Sequence, residues 1–98
     1  MSEPKVPCRT PNPGKPGVTN IPEWKFNAIR TAILAILQDQ GEVRWSALTD
    51  LVTDRLSPED RANMGSVGWY TVTVKLEMEV RGEIVRGTGK GPQAIKMA

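Results

Sequence analysis

Apolar side chains recur at helical spacing over residues 22–41 and 46–56, and at a period of two after residue 83. In the first helix Phe26, Ile29, Ile33, Ile36 and Leu37 form the buried face. Pro22 opens it, where a missing N–H costs nothing, and Gly41 closes it, giving a helix of about 17 residues. Glu42-Val43-Arg44-Trp45 then leads into Ser46, a good N-cap, and Leu48, Leu51, Val52 and Leu56 mark the buried side of a second helix. Ser57-Pro58-Glu59-Asp60 stops that helix and starts a short helical turn to about Met64.

Residues 66–82, SVGWYTVTVKLEMEVRG, predict a third principal helix, ended by Gly82, but with two apolar sides. At about 100° per residue, Val67, Tyr70, Val74 and Met78 fall on one stripe and Trp69, Val72, Leu76 and Val80 on nearly the opposite one. Beyond Gly82, Ile84 and Arg86 alternate with Val85, and Ala94-Ile95-Lys96-Met97 follows Pro92. These are two strands of a hairpin around Gly87-Thr88-Gly89-Lys90-Gly91. That loop is not read as a phosphate cradle, because a strand follows it where a cradle opens a helix.

Residues 1–20 hold Pro4, Pro7, Pro11, Pro13 and Pro16 with Gly14 and Gly17, which predicts a disordered, flexible arm ahead of a domain over residues 21–98. A chain of 98 residues with 39% hydrophobic content makes one small domain. Its longest apolar run, Ala32 to Leu37, is far short of the roughly 20 residues that span a bilayer. The start Met1-Ser2-Glu3-Pro4 carries no signal-peptide pattern, so the expected compartment is the cytoplasm, with no membrane partner.

There is one cysteine, Cys8, and no histidine. No imidazole base, no zinc ligand set and no internal disulfide follow from that inventory, so the expectation is a protein without metal, cofactor or catalytic residues. The net charge of +2 is uneven. Residues 21–62 carry five basic against seven acidic side chains, whereas residues 63–98 carry five against three. Positive charge at the two ends of the chain suits a polyanion without demanding one.

Helix, short extended segment, helix, helix, hairpin is the order of a winged helix-turn-helix domain, and LEMEVRGEIVR resembles the end of its third helix running into the wing. PNPGKPGVTNI, AIRTAILAIL and GSVGWYTVTVKLEMEVRGEI resemble a family of short bacterial proteins that has no established function; the likeness covers residues 10–98. The implied fold is α+β: three helices and a two-stranded wing. In winged helices the third helix usually enters the DNA major groove and the wing touches the backbone. The resemblance therefore implies a small transcription-regulator-like domain binding double-stranded DNA. Its contacts would be Thr71, Thr73, Lys75, Arg86 and Lys90, with Lys5, Arg9 and Lys15 on phosphates.

Two features depart from that family pattern. The connection between second and third helices runs to about nine residues where a tight turn has three or four. The outward stripe, Trp69, Val72, Leu76 and Val80, is apolar, whereas base edges demand hydrogen-bonding groups. This favours, as the alternative, a protein-interaction or homodimerisation face centred on Trp69. A third arrangement buries both stripes, the second beneath the arm through Val18 and Ile21, joined by Met64 and Trp45.

Overall fold

The computed structural model describes residues 4–9, 18–87 and 94–98. They form an α+β arrangement in the order β1 (Lys5–Cys8), β2 (Thr19–Pro22), α1 (Glu23–Gln40), β3 (Val43–Arg44), α2 (Trp45–Arg55), α3 (Pro58–Met64), α4 (Val67–Val80), β4 (Ile84–Arg86) and β5 (Ala94–Met97).

Most helix ends sit where local chemistry allows, but the expected Ser46 cap does not form: α2 begins one residue earlier, at Trp45 after Arg44, with no side-chain cap. Pro22, with ψ near 135°, sits just outside α1 as its N-cap, and Gly41 turns the chain away at φ 81°, a value that an L side chain resists. The Ser57 and Ser66 hydroxyls accept from the backbone N–H groups of Asp60 and Trp69, at 3.1 and 3.2 Å, and so cap α3 and α4. At the end of α4, Gly82 adopts φ 75° while its N–H donates to the Glu79 carbonyl and that of Glu83 donates to Met78. This is the Schellman arrangement, which satisfies two carbonyls that the helix leaves free.

The expected short turn after Ser57 is a seven-residue helix, so four helices stand where three principal ones are predicted. α3 fills the long connection between α2 and α4. The expected C-terminal hairpin is also part of a larger sheet. β4 and β5 pair antiparallel, Ile84 opposite Met97 and Arg86 opposite Ile95, and the two-residue β3 pairs with the other edge of β5, Val43 opposite Ile95. The strand order is β3-β5-β4. A two-residue strand carries too little period-two signal to be read from sequence.

Part of the arm is ordered, against the expectation of disorder. β1 and β2 pair antiparallel, from Lys5 opposite Pro22 to Cys8 opposite Thr19, and the Glu23 N–H extends the ladder to the Pro4 carbonyl. In a two-stranded sheet every strand is an edge, so Pro7 and Pro22 can stand in it without breaking an interior hydrogen bond. Apolar contact holds part of the hairpin down, since Cys8 and Ile21 are buried in the main core. The boundary expected at residue 20 thus falls inside β2, which packs on α1 while β1 packs on α4.

That core lies between α1, α2, α4 and the three-stranded sheet. The predicted α1 face, Phe26, Ile29, Ile33, Ile36 and Leu37, is buried throughout and meets Leu48 and Val52 of α2, Val74 and Met78 of α4, and Ile84 and Ile95 of the sheet. Each such side chain contributes about 1.5–3 kcal/mol by leaving water. No helix among the described residues is long and apolar enough to cross a membrane.

Ile21, 1% exposed, tests whether the hairpin belongs to the folded domain. Ile21→Ala should lower the unfolding free energy in urea by about 2–4 kcal/mol, as for a core isoleucine. A loss below about 0.5 kcal/mol, typical of a surface position, would show that β2 does not pack in solution.

A candidate interaction face on α4

α4 is wrapped on most of its circumference. Val74 and Met78 face the core as their stripe predicts, but the flanks of that stripe hold polar side chains, Thr71, Lys75 and Glu77, all buried. The structure thus corrects the expectation that Thr71 and Lys75 meet DNA: one turn apart, they point into the protein and have no surface to offer.

Lys75 is enclosed between an aromatic ring and a carboxylate. Its Nζ lies 3.3 Å from the centroid of the Trp45 ring, a cation–π contact with the first residue of α2, and 3.2 Å from Glu79 Oε2. Burial pulls the ammonium pKa down and the Glu79 carboxylate opposes that shift. Glu79 in turn takes the Arg86 Nε of β4 at 3.2 Å, so that α2, α4 and β4 are joined through one chain of cation–π and ionic contacts. Two atoms of this flank, Thr71 Oγ1 and Glu79 Oε2, are buried without a hydrogen bond among the described residues; the ammonium approaches Glu79 Oε2 as an ion pair without hydrogen-bond alignment.

Glu77 occupies the other flank. Its wholly buried carboxylate accepts the Arg9 backbone N–H at 2.8 Å, Arg9 Nε and Nη2 at 3.0 and 2.7 Å, and Arg81 Nε at 2.7 Å. Burial raises its pKa, but the hydrogen bonds from the two guanidinium groups and the Arg9 N–H outweigh it and hold the carboxyl down at about 2. Arg81 also stacks over the Phe26 ring of α1, 4.8 Å from its centroid. Nearby, Arg30 of α1 binds Glu83 through Nε at 3.0 Å.

What remains outside is the second stripe. Trp69 is 51% exposed, its ring edge-on to Tyr70 at 4.9 Å, and Val72, Leu76 and Val80 continue the stripe half-buried. Among the described residues the expected cover through Val18 and Ile21 does not form there: Val18 is 54% exposed, Ile21 is taken into the main core, and Trp45 lies over Lys75. Thr73, half-buried beside the stripe, donates its hydroxyl to the Trp69 carbonyl at 2.9 Å, which uses its one proton within the helix.

The other expected DNA contacts are scattered. Arg86 and Arg9 are exposed along their side chains, 60% and 53%, while their guanidinium groups engage Glu79 and Glu77. Lys5 is exposed on β1, and Lys15 and Lys90 lie outside the described residues. Sequence reading missed Glu77, Glu79 and Arg81 as a structural set. The available signal was the spacing Lys75 to Glu79 and Glu77 to Arg81, four residues each, which places opposite charges as neighbours on a helix.

The depressed Glu77 pKa gives a pH dependence with a definite sign. A carboxyl that ionises more readily folded than unfolded contributes stability that is complete above its unfolded value near 4.5 and is lost as pH falls through about 2. Glu77→Gln should cost about 1.5–3 kcal/mol at neutral pH, the range for a buried charged hydrogen-bond partner. In denaturant titrations across this acid range, the gap between wild type and variant should narrow as pH falls. A gap independent of pH would show that Glu77 is not paired as a carboxylate.

No curated protein and no solved structure gives a significant match to the sequence. A family model does, over residues 5–95, which takes in the hairpin, all four helices and the sheet as far as Ile95. The chain belongs to DUF6958, a family of unknown function.

Proposed function

We propose that the chain is a winged-helix variant that serves as a protein-interaction module, using the outer face of α4 in place of DNA readout. The order α1-β3-α2-α3-α4-β4-β5 and the sheet order β3-β5-β4 support the winged-helix arrangement, with α3 as an addition between the second and third principal helices. The observation that carries the functional reading is the character of the one open side of α4. It presents a half-exposed Trp69 with Val72, Leu76 and Val80, while Thr71 and Lys75 are inside. Aromatic anchors surrounded by aliphatic side chains are what protein interfaces place at their centres. A binding role also fits a chain without histidine.

One observation favours DNA as a second reading: Lys5, Arg9, Arg44, Arg86 and Lys96 are all exposed around the sheet, the hairpin and the end of α4. Fluorescence anisotropy with random duplex DNA at two salt concentrations separates the two. The interaction reading expects no saturable binding. Binding with a log-log salt slope of roughly −3 to −4.5, weakened alike on all sequences by Arg86→Ala and untouched by Trp69→Ala, would overturn it in favour of DNA.

A further inference from the structure

The charges around α4 are sorted by end. Its first turn lies against α2, where a methyl group built on Gly68 would touch Thr49 Cγ2 at 3.7 Å, and it follows directly from α3. The acidic side chains Asp50, Asp54 and Glu59 of those two helices are exposed and form no ion pair among the described residues. The cations there are occupied, Arg55 with Asp39 at 3.3 Å, Arg61 with the Thr53 carbonyl at 2.8 Å, and Lys25 of α1 with the Met64 carbonyl at 2.9 Å and the Tyr70 hydroxyl at 3.2 Å, which leaves the three carboxylates in excess. At the other end the pattern inverts. Glu77 is shared by Arg9 and Arg81 and Glu79 by Lys75 and Arg86, two cations to each carboxylate, so that end keeps an excess of positive charge, turned toward solvent on Arg9, Arg81, Arg86 and Lys96. The stripe between the two ends is apolar and faces no unpaired carboxylate of its own helix.

From this polarity we infer that the occupant of the α4 face is a second copy of the same chain, the two α4 helices packing antiparallel across a two-fold axis. The inference rests on the interaction reading and names its partner. Antiparallel pairing lays the acidic end of each copy on the basic end of the other, whereas parallel pairing sets like charges together. A two-fold axis makes one surface complementary to itself, so a single helix face with opposite charges at its ends suffices. The side chains fit the same arrangement. From Trp69 to Val80 the stripe runs about 17 Å at 1.5 Å per residue. Pairing about its midpoint sets Trp69 of one copy against Val80 of the other and brings Thr73 opposite Leu76, large against small in both of these pairs.

Sedimentation equilibrium of the full chain should reveal a dimer that weakens as salt rises, because the end-to-end charges are screened. Leu76→Glu should raise the dimer dissociation constant about 30-fold or more, the effect of losing an interface hot spot, with the melting temperature of the monomer unchanged. Asp50→Lys with Asp54→Lys should weaken the dimer about five-fold in low salt and little in high salt. Orientation is read by cross-linking in a Cys8→Ala background: Trp69→Cys and Val80→Cys variants should form a disulfide when mixed under oxidising conditions and not when separate. Cross-linking of each variant with itself would overturn the antiparallel pairing. A chain that stays monomeric at every concentration and salt would overturn the second copy as partner. In that case an unchanged melting temperature for Leu76→Glu leaves the face itself open to a different protein. A lowered one would show that the stripe is core and would overturn the interaction reading as well.

Discussion

A carboxylate wholly out of water yet ionised, that of Glu77, is the interaction on which the rest of the arrangement turns. An unpaired charge there would cost several kcal/mol, so the site exists only because Arg9 closes over it from the hairpin and Arg81 from the end of α4 itself. The first partner ties the N-terminal hairpin to the last principal helix. The second sits over Phe26 and couples the same carboxylate to α1. One buried acid thereby fixes the mutual placement of β1, α1 and α4.

The opposite flank of α4 repeats the device with reversed sign. There the buried group is the Lys75 side chain, and its enclosure is the Trp45 ring together with Glu79, which passes the connection on to Arg86 in β4. Buried charges tolerate few alternative geometries, because any shift that separates the partners leaves one of them unsolvated. α4 is therefore held at defined rotation by polar contacts on both flanks and by Val74 and Met78 between them. A helix with two apolar sides has no rotational preference from hydrophobicity alone. The ionic flanks decide which stripe goes inside.

That choice shapes what the helix can offer a partner. In a DNA-reading helix the solvent side carries donors and acceptors, and the interior side is apolar. Here the side chains with hydrogen-bonding capacity at Thr71, Lys75 and Glu77 have been drawn inside, and the side left out is the one bearing Trp69, Val72, Leu76 and Val80. The family to which the chain belongs is of unknown function, so the chemistry of this face is the most direct guide to a role. Apolar surface with an exposed tryptophan gains most by being covered, and the sorted charges at its two ends favour a cover of complementary polarity.

The order of the helices, the ends marked by Ser57, Gly41 and Gly82 and the inward face of α1 and α2 are legible in the sequence, because these follow from neighbours within one or two turns, whereas the expected Ser46 cap gave way to a start at Trp45. Ser57, Ser66, Gly41 and Gly82 act locally, and the apolar period of α1 needs only its own residues. The α+β class was legible for the same reason, from the change of period after Gly82. The two stripes of α4 were legible as well, but not which polar residues accompany the inner one. Only the tertiary structure decided that Thr71 and Lys75 are interior, that the proline-bearing arm returns as a hairpin and that Glu77 is ionised inside the protein. Each of these depends on a partner remote in the chain, with Arg9 and Glu77 separated by 68 positions and Lys75 meeting a tryptophan at the start of another helix. A helical wheel places such residues at the border between faces, and what fills the space beyond that border is a property of the assembled fold.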